Sequence, residues 1–437
     1  MDILSSLTAE QINFLILHYL GIILNWWWFY LPPVLFLIFR FLYLYWLQDR
    51  WWEKNYNPIV LEIKIPEEVA KTPRAMEQVF AGWWQLYDPP NWKEKWCEGQ
   101  SLLSFSCEIV GIDGKPHFFL RIPKRSRQLF ESHIYAQYPD IEITEVEDYT
   151  KAVPSDIPNK DWDMWGCDYV FTKPTYYPIK TYPHFEEESI KEEKRIDPLS
   201  NFLEGIAKLK KGEQIWLQIR VCPVLEEEEF PWRKPGEKAI REIVEKTPPK
   251  KSEPFLSAIF KGVAEAFIHS KPPGEEEKKE EKLDLGALKL APHEIEILKA
   301  IGNKIAKHGF LCNVRHIYLG KREAFFRPNL RIPMSYITGE LAAANLNTLK
   351  YWGKTGTKVV YWFIKRRLYL RKRRMVRQYR MRVSPLYPRP SGPGNYILNS
   401  EELATIFHFP GRQVAPVPTI KRVEAKKGGP PSELPVE

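Results

Sequence analysis

Residues 102–123 read LLSFSCEIVGIDGKPHFFLRIP and predict the element on which the fold is built. Apolar and polar residues alternate on both sides of Asp113 and Gly114, a pattern typical of two half-buried β-strands. An Asp-Gly pair between such runs is a strong signal for a tight turn, because glycine adopts positive φ at little cost. The stretch therefore predicts an antiparallel β-hairpin.

The segments on either side of this hairpin predict a regular order of strands and helices. A strand at 59–66 (IVLEIKIP) and a helix at 73–86 (PRAMEQVFAGWWQL) precede it. A helix at 126–139 (SRQLFESHIYAQYP) and a strand at 141–149 (IEITEVEDY) follow it. The order β-α-β-β-α-β is that of the split βαβ, ferredoxin-like arrangement. We therefore predict an α+β fold whose first ferredoxin-like domain covers residues 58–150.

A second, less regular copy of this order is predicted over residues 165–350. It begins with a strand in CDYVFTKPTYYPIK (167–180), a helix in DPLSNFLEGIAKLKKG (197–212) and a strand in EQIWLQIRVCPVL (213–225). It resumes with a helix at 292–309, a strand at 310–319 and a helix around SYITGELAAANL (335–346). These segments predict a second ferredoxin-like domain that is interrupted in the middle.

The interruption covers residues 226–290 and is dominated by charge. It contains EEEEF, KTPPKK and KPPGEEEKKEEK, which offer too little apolar surface to offset the entropy of ordering. Only the stretch FLSAIFKGVAEAFI (255–268) predicts a helix there. We interpret residues 226–290 as a charged insertion.

Residues 26–47 predict a transmembrane helix. As a helix they would rise about 33 Å, which matches the hydrocarbon thickness of a bilayer. Tryptophans lie at both ends, as expected at headgroup level: Trp26, Trp27 and Trp28, then Trp46, Trp51 and Trp52. Basic residues are concentrated on the C-terminal side, namely Arg40, Arg50, Lys54 and Lys64. The positive-inside rule predicts a single-pass protein of the inner (cytoplasmic) membrane with its large domain in the cytoplasm.

Residues 1–25 predict an amphipathic segment that lies in the membrane interface, since most of their polar residues share one helical face. The alternative is a hairpin of two spans that turns at Pro32 and Pro33. The sequence leaves both topologies open.

The net charge of +9 has a local origin. Residues 358–389, the basic arm, contain twelve basic residues and no acidic one, so the rest of the chain sums to 9 − 12 = −3. Apolar residues recur in the arm at helical spacing, so a helix with an apolar stripe is predicted. Its candidate binding residues are Lys365, Arg366, Arg367, Arg371, Lys372, Arg373, Arg374, Arg377, Arg380 and Arg382.

Three interpretations of the basic arm stay open at this point. Arginines and tyrosines could bind the phosphates and bases of DNA without sequence preference. Anionic lipid would attract the arm with about 1 kcal/mol per basic residue. The third interpretation is a solvated helix paired with acidic segments such as the glutamate-rich insertion.

The sequence carries no signature of catalysis, and we predict no catalytic, cofactor or metal site. It has no H-E-x-x-H, no G-x-S-x-G and no C-x-x-C, and its five cysteines are far apart, which fits a reducing compartment. Asp161 and Asp163 are interpreted as part of a loop packed on a sheet. In TLKYWGKTGT (348–357), Thr348 stands where a phosphate-binding loop needs its first glycine, so a polar turn is predicted. The protein is not expected to be an enzyme.

Residues 397–437 predict a short helix followed by an extended strap. Asn399 or Ser400 is placed to cap the helix, and Pro410 prevents its continuation. Leu403, Ala404 and Phe407 share one helix face. With Phe409 and Pro410 they predict a docking surface for a partner. The strap beyond it is rich in proline and is expected to dock on another protein.

Two stretches carry a family resemblance, APHEIEILKAIGNKIAKHGFLCNVRHIYLGKREAFF (291–326) and LNSEELATIFHFPG (398–411). They resemble a family of small-genome uncultivated bacteria related to the ATPases of conjugation and type IV secretion. In longer members, the resemblance implies a membrane helix and two ferredoxin-like domains ahead of a P-loop, DNA-pumping ATPase. This chain is expected to be the membrane-anchored N-terminal region of such a protein, with the P-loop ATPase domain encoded separately.

The resemblance and the residues together lead to one expected function. The chain would be a non-catalytic, membrane-anchored component of a DNA-transfer, type IV secretion-like machine. It would dock a separate P-loop ATPase, form an oligomer around the ATPase ring, and contact DNA or anionic lipid through the basic arm. The alternative is a membrane-bound structural scaffold, in pilus or envelope assembly, without an ATPase partner.

Overall fold

The computed structural model describes residues 9–66, 71–185, 197–226, 230–245, 291–385, 392 and 394–411. Backbone contacts divide the chain into two compact units. The first unit is Met1–Asn57 with Pro89–Ser101, and the second is Pro58–Asp88 with Leu102–Glu437. The predicted strap beyond residue 411 and the predicted helix at 255–268 lie outside the described residues.

The first unit is helical. It contains α1 (Ala9–Asn25) and α2 (Trp27–Trp51), and α2 continues into a π-helical turn at Trp52–Tyr56. Among the described residues, Trp27–Tyr56 is the one helix long and apolar enough to cross a membrane. The alternative topology, with two spans that turn at Pro32 and Pro33, is wrong. Both prolines lie inside α2, because proline removes one N–H donor without forcing the chain to reverse.

The segment Pro89–Ser101 packs against α2 within the first unit. The guanidinium of Arg40 lies 4.7 Å from the ring centroid of Trp96. The indole Nε1 of Trp52 donates a hydrogen bond to Ser101 Oγ at 2.7 Å. These contacts hold the segment beside the C-terminal half of the helix.

The second unit is a mixed α/β structure built on one antiparallel sheet, in agreement with the predicted α+β class. Its strands in the described chain are β1 (Pro58–Lys64), β2 (Phe105–Ile112), β3 (Lys115–Pro123), β4 (Glu142–Val146), β5 (Trp162–Phe171), β6 (Glu213–Val224), β7 (Gly309–Lys321), β8 (Leu349–Tyr351) and β9 (Tyr396–Asn399). The strand order is β4-β1-β3-β2-β6-β7-β5-β8, and β9 pairs with β7.

The predicted hairpin forms its turn at Asp113 and Gly114, which have φ of 50° and 82°. On its far side, β2 pairs with β6 along its whole length, from Phe105 opposite Val221 to Ile112 opposite Gln214. The two predicted domains therefore share one continuous sheet. The first half of the sheet has the strand order β4-β1-β3-β2, and the second half has the order β6-β7-β5-β8. If the strands of each half are numbered one to four along the chain, the second order is the first one reversed.

Helices cover both faces of this sheet. They are α3 (Pro73–Trp83), α4 (Arg127–Gln137), α5 (Ser200–Ala207), α6 (Arg233–Glu245), α7 (Pro292–Ala306), α8 (Arg331–Ser335), α9 (Ile364–Met381) and α10 (Ser400–Ile406). Strand β3 shows the two faces, because neighbouring side chains of a strand point to opposite sides. Phe118 contacts Phe407 just beyond α10, whereas Phe119 stacks on Tyr149 in the core that α9 covers.

Two predicted segments fold differently. Residues 233–245, placed in the charged insertion, form α6, since Ile240 and Ile243 pack with Trp232 against Ile301 and Ile305 of α7. The helix predicted around 335–346 is replaced by α8 and a π-helical turn at Tyr336–Glu340. In the first case, a few apolar residues at helical spacing are enough to bury one face.

The predicted docking surface at the end of the described chain is buried. Leu403, Ala404 and Phe407 are 0% exposed and Phe409 is 1% exposed, and Pro410 is also buried. The structure therefore contradicts their assignment to partner docking, because the chain's own sheet and helices, including Phe118, cover them. The predicted cap is confirmed at Asn399, whose Oδ1 accepts from the N–H of Glu402 at 2.8 Å.

Candidate functional site

Residues 364–381 of the basic arm form α9, which lies on the sheet face opposite to α10. Met375, Val376 and Tyr379 are buried in one core with Phe119 and Trp216. Tyr379 lies three residues beyond Val376 and four beyond Met375, so the three side chains occupy one helical face, as the sequence predicts. The opposite face is exposed and basic.

A buried ion pair fixes the C-terminal end of α9. Arg382 Nε lies 3.0 Å from Glu108 Oε1 of β2, and Arg382 Nη2 lies 3.1 Å from Asp148 Oδ1. Glu108 also accepts hydrogen bonds from Ser106 and from the hydroxyl of Tyr149, both at 2.7 Å. Burial by itself raises the pKa of Glu108, but the charge and hydrogen bonds of Arg382 hold that pKa below its usual value.

Three further cations of the arm bind the chain itself. The guanidinium of Arg380 donates to the backbone carbonyls of Thr150, Val153 and Pro154 at 2.6 to 2.9 Å. Lys372 Nζ lies 2.5 Å from Asp163 Oδ1.

Arg371 Nη1 donates to the carbonyls of Gly353, Gly356 and Lys358 at 2.8 to 3.3 Å. Together with Arg382, four of the ten predicted binding residues are thus wholly or partly buried and hold the helix in place. Arg367 and Arg374, which are exposed, also donate to backbone carbonyls, those of Tyr361 and Pro385.

The other six predicted binding residues are exposed: Lys365, Arg366, Arg367, Arg373, Arg374 and Arg377. Arg366, Arg373 and Arg377 are seven and four residues apart and therefore share a face. No salt bridge within the described part of the chain involves any of the six. The glutamate-rich parts of the insertion, which the sequence offers as a partner for the arm, lie outside the described residues, whereas Lys372 and Arg382 of the same arm pair with carboxylates.

Sequence reasoning missed the apolar tip, residues 360–364, which directly precedes these cations. Its side chains are 57%, 72%, 80%, 79% and 48% exposed, in the order Val360, Tyr361, Trp362, Phe363 and Ile364. A continuous apolar run in a strand-free segment was the available signal.

The turn in residues 353–357 does not resemble a phosphate-binding loop. No helix begins at its end, since α9 starts only at Ile364. The side chain of Thr357 is committed to the backbone of Gly166, from whose N–H its Oγ1 accepts a hydrogen bond at 3.0 Å. A P-loop requires backbone N–H groups at a helix N-terminus that converge on the phosphate, and this turn does not provide that arrangement.

The buried cluster of Cys167, Tyr169 and His316 is closed to solvent. His316 Nδ1 lies 2.7 Å from the Tyr169 hydroxyl and 3.6 Å from Cys167 Sγ. Burial lowers the pKa of His316 to about 3 and raises the pKa of Cys167 well above its usual value. A neutral imidazole beside a protonated thiol is the opposite of an activated cysteine nucleophile.

Other acidic and sulfur-containing side chains do not assemble a metal site. Within the described residues there is no group of three or more His, Cys, Asp or Glu side chains able to hold an ion. Asp163 is paired with Lys372 and lies 3.9 Å from Arg322, while Asp161 accepts a backbone hydrogen bond from Arg322 through its carbonyl.

Comparisons with known proteins assign no family to the chain. No protein-family model matches it, and no curated protein sequence matches it. The basic face of α9 and the apolar tip are therefore interpreted from their own chemistry.

Proposed function

We propose that this chain is a non-catalytic, membrane-anchored component of a DNA-transfer machine of the type IV secretion kind. In this proposal it works with a separately encoded P-loop ATPase and binds DNA through the exposed face of α9. The six exposed cations of that helix, which have no acidic partner among the described residues, carry the proposal.

The geometry of α9 suits a sequence-independent contact with DNA. Its exposed face offers guanidinium groups, which bind phosphate oxygens in a bidentate way. Residues Arg366 and Arg377 are eleven positions apart, which corresponds to about 16 Å along a helix and spans several phosphates of one strand. The buried pair of Arg382 and Glu108 keeps this face in a fixed orientation on the sheet.

Membrane anchoring rests on the first unit. Trp27–Tyr56 has the length and hydropathy of a membrane span. The basic residues that follow its apolar part favour a cytoplasmic location for the second unit in a single-pass protein of the inner membrane.

The fold proposal is that each half of the sheet is a ferredoxin-like unit. Its support is the strand order, since β4-β1-β3-β2 is all antiparallel and β6-β7-β5-β8 repeats it in mirror order. Two such units fused edge to edge would give a broad, stiff platform.

The ATPase partner rests on the resemblance of residues 291–326 and 398–411 alone. Because Leu403 and Phe407 are buried, we assign the docking contact to residues 412–437. An arrangement of several copies around the ATPase ring belongs to the same proposal.

The test is the salt dependence of DNA binding by the full chain in nanodiscs of uncharged lipid. Replacing Arg366, Arg373, Arg374 and Arg377 by Gln removes four cations while sparing the four that hold the helix. The slope of log affinity against log salt should shrink by about 3.6, since each phosphate contact contributes about 0.9. The loss of DNA affinity should be equal for duplexes of unrelated sequence.

A matched control removes the same net charge elsewhere on the second unit, by replacing the exposed Lys208, Lys210, Lys211 and Lys238 with Gln. This variant should retain the slope of the unmodified chain. An equal decrease of the salt slope in both variants would overturn the assignment of DNA binding to α9. The absence of duplex binding by the unmodified chain would overturn it as well.

A further inference from the structure

We infer that the apolar tip, residues 360–364, is a membrane-surface anchor that inserts into the headgroup region of an anionic bilayer. This contact is additional to the Trp27–Tyr56 helix and does not depend on the proposed DNA contact. The inference begins from the exposure of the tip. Five consecutive apolar side chains, 48% to 80% exposed, form a continuous patch. Isolated exposed apolar residues are ordinary, but a continuous patch marks an interaction surface.

The backbone of the tip is held by the helix that follows it. Arg367 Nη1 donates to the carbonyl of Tyr361 at 2.6 Å, and Arg371 Nη1 donates to that of Lys358 at 2.8 Å. The chain therefore presents the aromatic rings on a fixed turn. Their exposure is thus a property of the fold.

The conformation of the tip is itself unusual. Trp362 and Phe363 both have φ of 48°, in the left-handed region that bulky side chains rarely adopt. Each such residue is strained. Neither ring offsets this strain by burial, since they are 80% and 79% exposed. Insertion of the rings into a bilayer would supply the missing burial.

The chemistry of the tip selects a lipid surface. Trp362 and Tyr361 are the residue types enriched at the headgroup level, because each combines an apolar ring with a polar group. Val360 and Ile364 have no ring to stack on a base but gain by burial among acyl chains. Lys365, Arg366 and Arg367 follow without a gap, and they are the cations that an anionic surface attracts.

The cations nearest the tip lie at the start of α9, and the other exposed cations lie further along its axis. Arg377 is ten residues beyond Arg367, about 15 Å along the axis, which exceeds a Debye length of about 8 Å at physiological salt. Lipid contact by the tip therefore leaves Arg373, Arg374 and Arg377 available for another polyanion.

The experiment places an environment-sensitive fluorophore on the tip of the full chain reconstituted in liposomes. The fluorophore is attached to Cys after Trp362→Cys or Tyr361→Cys in a Cys97→Ser background, in which the remaining cysteines are buried. The side chains replaced are exposed, so folding does not depend on them. A matched label at Phe326→Cys, 56% exposed in the same unit, reports an apolar surface position outside the tip.

We expect a blue-shifted emission at positions 361 and 362 in liposomes that contain phosphatidylserine. Lipid carrying a nitroxide near the headgroup should quench it, and the label at position 326 should be quenched much less. Replacing Lys365 and Arg366 by Gln spares the Arg367 contact with Tyr361 and should lower the docked-to-undocked ratio of the tip by roughly fivefold per charge.

Three results would overturn the inference. The first is equal quenching at positions 326 and 362. The second is a blue shift without nitroxide quenching, which would place the tip against protein. The third is a response to single-stranded DNA in uncharged liposomes, which would make the tip a base-stacking surface. Each result leaves the duplex salt-slope test of α9 unaffected, so the two proposals fail separately.

Discussion

Arg382 and Glu108 form an ion pair inside the second unit, with Nε and Oε1 3.0 Å apart and side chains only 3% and 0% exposed. Arg382 ends the basic helix, and Glu108 lies on β2, the strand that joins the two halves of the sheet. Gln218 of β6 donates to the same carboxylate at 2.9 Å. One buried carboxylate thus links the helix to both strands of the central pairing.

Replacing Glu108 by Gln should strongly destabilise the second unit. The change leaves the buried guanidinium of Arg382 with Asp148 as its one remaining acidic partner among the described residues. Removing one member of a buried pair costs about 3 to 5 kcal/mol in the free energy of unfolding. Denaturant titration of the full chain, followed by tryptophan fluorescence, measures the loss.

The control for this prediction is Glu142→Gln, which breaks the half-exposed pair with Lys64. Exposed pairs contribute about 0 to 1 kcal/mol, so its unfolding midpoint should hardly move. The double variant Glu108→Gln, Arg382→Met should be less destabilised than the two single changes summed. Equal effects of Glu108→Gln and Glu142→Gln would contradict the structural role of the pair.

Stability should fall in acid because of the same network. Burial alone would raise the pKa of Glu108, but the charge and hydrogen bonds of Arg382 hold that pKa below its usual value. Burial would likewise raise the pKa of Asp148, but the hydrogen bonds and charge of Arg382 hold that pKa below its usual value. A lowered pKa gives stability that is fully present above the unfolded value and is lost as pH falls through the folded one.

We therefore expect the free energy of unfolding to decline below about pH 4.5. In Glu108→Gln the decline should be shallower, because one of the two carboxylates no longer titrates. A profile that stays flat down to pH 3, or an unchanged slope in the variant, would contradict this assignment.

The local elements of the fold were predictable from sequence because local chemistry decides them. The Asp113-Gly114 turn and the alternation on either side specify the hairpin without reference to the rest of the chain. The capping box of Asn399 and Glu402 is equally local. The order of strands and helices in residues 58–150 follows from such signals.

Non-local partners could not be predicted in the same way. The sequence of a short helix with an apolar face is the same whether that face packs against a partner or against the protein's own sheet. The burial of Leu403 and Phe407 was therefore not predicted. A run of basic residues likewise predicts that all of its side chains are exposed, although Arg382 is buried. The acidic partner of Arg382 lies on a strand more than two hundred residues earlier.

Replacing Phe407 by Ala should lower the free energy of unfolding rather than weaken the binding of a partner. Its ring is fully buried and contacts Phe118 and Phe409 at centroid distances of 6.1 and 5.9 Å. Truncation of a buried phenylalanine costs about 3 to 5 kcal/mol. Leu370→Ala is the control, since that side chain is 54% exposed and its loss should stay within about 0.5 kcal/mol.

The proposed membrane orientation is tested by Cys97. It is the exposed cysteine of the described chain, whereas Cys107, Cys167, Cys222 and Cys312 are buried. A membrane-impermeant maleimide should label Cys97 in inverted membrane vesicles but not in intact cells. Cys97→Ser should remove the signal, and the four buried thiols should react only after denaturation. Labelling in intact cells would reverse the topology.

The last prediction separates the motor-associated proposal from a structural scaffold. Residues 412–437 follow the buried segment that ends α10 and carry the docking contact in our proposal. Their deletion removes none of the described core, so the unfolding midpoint should stay unchanged while co-purification of a P-loop ATPase is lost. Phe407→Ala, which disturbs the core but retains these residues, is the matched control and should still retain the ATPase under conditions where it is folded.

Loss of folding on deletion would mean that residues 412–437 belong to the core. Retention of the ATPase by the deletion variant would place the contact elsewhere, and failure of the full chain to retain any P-loop protein would favour the scaffold.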